Sequence, residues 1–411
     1  MSVIKYICAN RKVWIAGLII FVSVYSCIEV FYPVLDNKTG LLVVDALITN
    51  ESRSYDVYIY RSTSSLKNKT SYVKGAYVSI YDNSGKENML KEITTGHYIT
   101  DSKTFIGESG KKYILYIRTS GGEEYLSDTC TIYGTSTIDH IYFRKNQKYS
   151  ENGIDEVSGL SFYVDGQVAS TGNSYLRWDF NEDWKILVQY PALYIYNGGS
   201  SFTENAAKNI VCWKKAKSTD IIIHSFQDNG TAVVKDKEIG FFIPEQTDRF
   251  NVRYSIFVNQ YAISREEYEY WNKLKQTNDE TGGIFERQPF SISGNIRNTR
   301  NSREAVLGYF QVASVCSQRL YVNPNDVSKL GLPLFQNTCS VKVYQLGDMG
   351  ESGLFQTIPE IYDYITRHDS VLVAPFYKDD IGELLGLFVS SHVCTDCALS
   401  GDPRKPDFWI E

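Results

Sequence analysis

From Leu41 onward the chain is written in short alternations of apolar and polar residues rather than in helical stripes. Leu41-Leu42-Val43-Val44 is an apolar run, and Tyr55, Val57 and Ile59 then alternate with Asp56, Tyr58 and Tyr60. Ala76, Val78 and Ile80 repeat the pattern before a turn at Asp82-Asn83-Ser84-Gly85, and Tyr113, Leu115 and Ile117 repeat it before Gly121-Gly122. A period of two places alternate side chains on one face, which is the mark of a half-buried strand. Strands at this spacing, parted by Gly and Asn turns, predict an antiparallel sandwich over residues 41–134.

A second module starts near Thr135 and runs over 135–411. Its strands are expected at Phe162 to Gly166, Tyr175 to Phe180, Trp184 to Val188, Ile221 to Ile223, Phe241 to Ile243, Val252 to Tyr261 and Gly308 to Val315. One helix is expected near 264–280. Ser264 and Glu267 form a capping box in which each side chain can bond the other's free backbone N–H. Tyr270, Trp271 and Leu274 share a face while Glu266, Lys273 and Lys275 stay wet, and Thr281-Gly282-Gly283 ends it. A shorter helix is expected over Ile358 to Tyr364, and Val371 to Tyr377 reads as a strand with an edge or bulge at Pro375. The segment from Gly75 to Gly85 resembles transthyretin-like and carboxypeptidase-regulatory sandwich domains. The expected fold class is therefore mainly β: an N-terminal immunoglobulin/transthyretin-like sandwich, then a larger antiparallel β-rich domain with one covering helix.

Composition strengthens the β reading, because 31 Tyr and 20 Phe stand against 3 Met in 411 residues. The net charge is −6. An acidic balance without a long single-sign run speaks against nucleic acid as a partner.

The first residues change the picture more. Lys5, Arg11 and Lys12 precede an apolar run from Val13 to Val24, broken by Gly17 and Ser23. A basic start and an apolar stretch of about a dozen residues make a signal peptide, too short to cross a bilayer comfortably. Val24-Tyr25-Ser26-Cys27 resembles the bacterial lipobox, in which the Cys thiol receives diacylglycerol and the leader is cut before it. The reading is thus a lipoprotein signal over 1–26, a lipidated Cys27, and a tether over 27–40 with Pro33, Asp36-Asn37 and Gly40 as breakers. Without the three basic residues of the leader, 39 basic stand against 48 acidic residues, near −9.

Beyond Cys8 and Cys27, six cysteines remain in an exported chain, a density that staples a core rather than replaces it. His392-Val393-Cys394-Thr395-Asp396-Cys397 offers three readings: a disulfide pinning the tail, half a zinc site, or a redox pair. A disulfide is favoured, with Cys212 as a candidate partner for Cys394 or Cys397 and the third thiol spare. Connectivity does not follow from sequence. In the tail, Phe408 and Trp409 read as a plug closing the sheet.

No dinucleotide, phosphate-loop, nucleophile-elbow or zinc-protease motif occurs, and the five histidines are scattered. No catalytic residue, cofactor or metal site is assigned.

Several segments together resemble one family. They are Cys27-Ile28-Glu29, Leu42 to Ile48, Tyr175 to Phe180, Cys212-Trp213, Tyr268 to Trp271, Thr281 to Phe285, Gln288-Pro289, Gly294-Asn295-Ile296, Gly308-Tyr309-Phe310, Cys394 to Cys397 and Lys405 to Trp409. Their order and spacing are similar to the bacterial lipoprotein family catalogued as domain of unknown function 4249. Members of that family are typically outer-membrane lipoproteins encoded beside Sus-type TonB-dependent receptors. The resemblance implies a lipid-anchored, non-enzymatic accessory of the outer membrane, with the cell-surface face favoured over the periplasmic one. Its expected partner is a TonB-dependent receptor, in ligand capture or receptor assembly. One alternative is a surface lipoprotein that binds glycan or peptide alone, through exposed rings such as Trp178, Trp184 or Trp213, although burial is the default for rings in strands. The other is a hydrolase whose site is assembled in space.

Overall fold

The alternation in Leu42–Ile48 buries Leu42, Val44, Ala46 and Ile48 on one face, and the same rule buries Val57 and Ile59, Val78 and Ile80, and Tyr113, Leu115 and Ile117 in later strands. In the computed structural model these faces meet in a single core between two six-stranded sheets. The structure describes residues 40–63, 70–134, 136–150, 153–168, 174–226, 232–280, 292–351, 353–378 and 382–411. The leader, Cys27, the tether up to residue 39 and the Thr281 to Gln288-Pro289 segment lie outside the described residues. The chain is mainly β, in several largely antiparallel sheets.

The first sandwich is not confined to 41–134. Leu307–Val312 runs parallel to Leu42–Ile48 at the edge of one sheet, and Ile296–Asn298 pairs antiparallel with Glu124–Ser127 at the edge of the other. Both strands fall within the range expected for the second domain. A reading along the chain cannot see this pairing, because its partners lie more than 160 positions apart. Two glycines let the returning chain in. Gly308 has φ +83°, and a Cβ there would lie 2.0 Å from the Val44 carbonyl oxygen; a Cβ on Gly294 would lie 1.6 Å from that of Gly308. Between them the buried Asn295 side chain copies a strand: its Nδ2 donates to Phe310 O at 3.0 Å, and Phe310 N donates to its Oδ1 at 2.9 Å.

The stretch expected as one strand, Gly308 to Val315, is two. Leu307–Val312 belongs to the first sandwich and Ser314–Val322 to the second, and the chain crosses at the fully buried Ala313, whose N–H donates to Ile48 O. In the second sandwich, a three-stranded sheet (Ser136–Tyr149, Glu156–Val168, Ala232–Phe242) faces a five-stranded one built around Ser174–Leu187 and Arg253–Ile263. Leu160, Phe162, Leu176, Trp178, Phe250 and Tyr254 fill the space between them. A smaller C-terminal sheet (Lys342–Gln345, Ser370–Lys378, Glu383–Ser391) is covered by the helix Ile358–Arg367, which buries Ile361 and Ile365 against it. Ser370–Lys378, which carries Pro375, is an edge strand with register shifts on both sides of the proline.

Two disulfides staple this end, Cys212–Cys397 and Cys339–Cys394. Cys394 is therefore not a spare thiol: the two cysteines of the C-x-x-C motif bond outward to different segments. Neither is then a thiolate able to hold zinc. Trp409 is buried edge-on against Trp213 and Tyr321, whereas Phe408 stays partly exposed over Arg319.

The long helix, Arg265–Glu280, lies at the junction of the two sandwiches. Glu267 N donates to Ser264 Oγ at 3.1 Å, which is half of the expected capping box. The Glu267 carboxylate does not return to Ser264. It is buried, accepts from Trp271 Nε1 at 3.3 Å and from the backbone N–H of Val312, and feels the charge of Arg177. Alongside it, Tyr270 packs on Tyr309 of the first sandwich and Tyr268 on Tyr175 of the second.

Two outcomes are expected. Gly308→Ala places a Cβ against a backbone oxygen at a left-handed φ, so it should lower stability by about 2 kcal/mol or more, read by urea unfolding; a variant as stable as the parent would contradict the close approach. For Glu267, burial pushes the carboxyl up to about 7 from an ordinary 4.5. Between those values the folded chain holds a proton that the unfolded chain releases. Stability should therefore fall as pH rises through the window, by about 3 kcal/mol in full. Glu267→Gln should flatten that slope and be the more stable protein at pH 7.5. Equal slopes for both proteins would remove the argument.

Candidate ligand groove

The pairing of the second sandwich carries an irregularity that makes a groove. Val211–Lys217 and Ile222–Phe226 pair end to end with the same side of Ser174–Leu187, with Asn181 opposite Lys217 and Trp178 opposite Ile222. Between these pairs, Ser218 to Ile221 stand opposite only Asp179 and Phe180, so the extra residues swell outward from the sheet edge. Ser218 ties the root of the swelling: its N–H donates to Phe180 O, and its Oγ accepts from Phe180 N, each at 2.9 Å.

Across from this swelling runs Ala232–Phe242, the open edge of the three-stranded sheet. A cavity of about 510 Å³ lies between the two, lined by residues 219–222, residues 237–241, Lys148 and the helix residue Lys275. A narrower cavity of about 160 Å³ shares residues 219–222 and continues under the helix to Arg177, Asp179, Lys217 and Trp271. Together they form one groove at the place where two sheet edges and the helix meet.

Five cations line it against three carboxylates, in a chain whose net charge is −6. Lys148 is neutralised by Glu238 at 2.8 Å and covers the Phe241 ring. Arg177, buried, pairs with Asp179 at 3.2 Å and lies over the rings of Tyr261 and Trp271. Asp179 is held in turn by Asn259 Nδ2 at 2.8 Å and by the Tyr261 hydroxyl at 3.2 Å, so this pair belongs to the structural floor. Lys217, Lys237 and Lys275 have no carboxylate within 4 Å among the described residues. Lys237 is the unusual one. It is half-buried, faces the other sheet with its ammonium 5.5 Å from the Trp178 ring centroid, and donates to Ile223 O at 3.3 Å. Burial and the neighbouring Lys275 pull its pKa below the ordinary lysine value.

The groove differs in this from a third cavity, of about 360 Å³, beside the disulfides. There Lys185 pairs with Glu411 and Lys214 with Asp248, so its charges are satisfied.

The residues singled out from sequence lie elsewhere. Cys27 is outside the described residues. Cys212, Cys394 and Cys397 are structural. Trp178, Trp184 and Trp213 are 1%, 6% and 6% exposed, so none presents a ring to solvent and ring-stacking capture through them is ruled out. His97, His368 and His392 contact Asp56, Glu351 and Asp369, and no histidine lines any of the three cavities. Sequence reasoning passed over Lys237 because it placed a strand only at Phe241 to Ile243. A usable signal was present: in Val233 to Phe242 a lysine occupies an inward position between Val234 and Ile239.

Comparison with known proteins adds a family and little else. No curated protein matches the chain. A solved structure of a DUF4785 family protein from Legionella pneumophila is similar at 11% identity over 55% of this chain, with a TM-score of 0.17. The similarity spans about half, 51%, of that protein. Residues 28–319 match the family described as Domain of unknown function (DUF4249), and the chain belongs to that family.

Proposed function

We propose that the protein is a non-catalytic accessory of the outer membrane, anchored by lipid on Cys27, which captures a ligand for a TonB-dependent transporter. The observation that carries the capture reading is the groove. It is concave, of a size suited to a small molecule, and built on a sheet edge, a helix and a short swelling tied to the sheet by Ser218. Its lining holds three lysines with no carboxylate within 4 Å among the described residues, which suits binding better than packing. The transporter partnership rests on the family resemblance and on the leader.

Lipid anchoring makes physical sense of a weak binder. One acyl chain holds a protein to a bilayer only marginally, whereas two or three hold it stably. Confinement to the surface that also holds the transporter raises effective concentration without strong protein–protein contacts. The 411-residue chain acting alone as a surface binder is the rival, and the same experiment separates the two.

A tag placed in the exposed Gly121-Gly122 turn, where a side chain meets open space at Gly122, allows recovery from outer membranes in mild detergent. Co-recovery of a TonB-dependent receptor is the expected result, and repeated recovery of this chain alone would sink the partnership. Cys27→Ala should abolish palmitate labelling and release the protein from membranes. Retention on membranes in high salt would overturn the anchor.

A further inference from the structure

We propose that the groove binds a small molecule through an oxyanion (a carboxylate, sulfate or phosphate group) held by Lys237 and Lys275, with Lys217 at the narrower end. The inference rests on the capture reading above and adds the chemistry of the ligand to it.

Lys237 carries most of the argument. An ammonium has three N–H donors, and Ile223 O takes one of them at 3.3 Å. Burying a charge without a close counter-charge costs free energy: Glu238 acts on Lys237 only weakly, being bonded to Lys148, and Lys275 adds a second positive charge that is felt more strongly. An empty groove therefore holds two like charges that an anion would relieve. Deeper in, Arg177 lines the narrower cavity with a buried Nε that has no acceptor among the described residues. The other partly buried lysines around the cavities each have a carboxylate: Lys148 in this groove, and Lys185 and Lys214 beside the disulfides.

The same residues limit what fits. Asp220 stands on the opposite wall with no cation within 4 Å among the described residues, so a polyanion running along the groove would meet repulsion there. A single anionic group does not. Buried Ile222 and Ile239 give the floor an apolar surface for the body of the ligand. Strand addition to the open edge is disfavoured, because an inward-pointing charge on an edge strand resists pairing with another chain. The fit is a compact molecule with one oxyanion.

The test uses the full-length chain purified in detergent at about 0.15 M salt, near the physiological value at which weak surface attraction is screened. Glucuronate, inorganic sulfate and inorganic phosphate are the probes, glucose is the neutral control, and calorimetry is the readout. At least one oxyanion should bind saturably and glucose should not. Lys237→Gln should weaken binding about tenfold or more, as expected for losing a charge-assisted contact. Lys237→Arg should restore part of it, and Lys329→Gln, on the exposed surface, should leave it unchanged. Saturable binding by none of the three probes, or equal binding by Lys237→Gln, overturns the proposal. Receptor co-recovery with no probe bound would remove the anion site alone. Probe binding without any receptor would leave the anion site standing and remove the transporter reading.

Discussion

The fold depends on one non-local event, the return of residues 292–312 into a sandwich that begins at Leu42. A parallel strand must be laid beside Leu42–Ile48 by a chain that has already built most of the second sandwich. Closing so long a loop is entropically costly, and the contacts that offset it come late. Close approach is what makes them strong enough. Gly294 and Gly308 allow backbone to touch backbone, and Asn295 supplies two hydrogen bonds where a regular neighbouring strand would have supplied them. Because Ala313 joins this strand directly to the next sandwich, the two cores are coupled with no linker between them at this point.

That coupling explains why the long helix has a mixed inner face. Arg265–Glu280 covers a junction rather than a single core, so it meets backbone and charge from both sides. A wholly apolar stripe would have left the Val312 N–H without the carboxylate it bonds and the Arg177 guanidinium with Asp179 as its one nearby counter-charge. Glu267 serves both, and the aromatic residues around it supply the packing. Trp271 and Lys275 of this helix line the groove. Its walls are therefore fixed by the same junction that holds the sandwiches together.

Much of the frame was legible along the chain. Period-two alternation located three strands of the first sandwich, at Tyr55 to Tyr60, Ala76 to Ile80 and Tyr113 to Ile117, Ser264 marked the helix start, and the shorter helix was expected at Ile358 to Tyr364. The segments around Gly294 and Gly308 stood out as motifs, but their role is a contact between distant parts of the chain, and no local pattern encodes distance. Gly308 to Val315 looked like one strand because the apolar run continues through Ala313 while the sheet it belongs to changes. The groove was legible only in hindsight. Its swelling at Ser218 to Ile221 is defined by a mismatch in register with Ser174–Leu187, which exists only once the strands are paired. The disulfides show the same limit: Cys212 could be named as a partner for the tail, yet Cys339 became visible as the second one only when its loop was brought against Cys394.

Lys237 can be assigned two roles, and they support each other. An open edge strand beside an apolar floor invites pairing with other chains, a hazard that grows with local concentration. An inward lysine removes that hazard at the cost of an unpaired, half-buried charge. Lys235 and the left-handed Asp236 just before it, with φ 48°, distort the edge further. If edge protection were the whole purpose, a neighbouring carboxylate could neutralise Lys237 with no loss, as Glu238 does for Lys148. Instead a second lysine from a different element, Lys275 of the long helix, acts on it more strongly than the carboxylate of Glu238. Protection alone does not account for that arrangement, whereas the proposed entry of an anion between sheet edge and helix does.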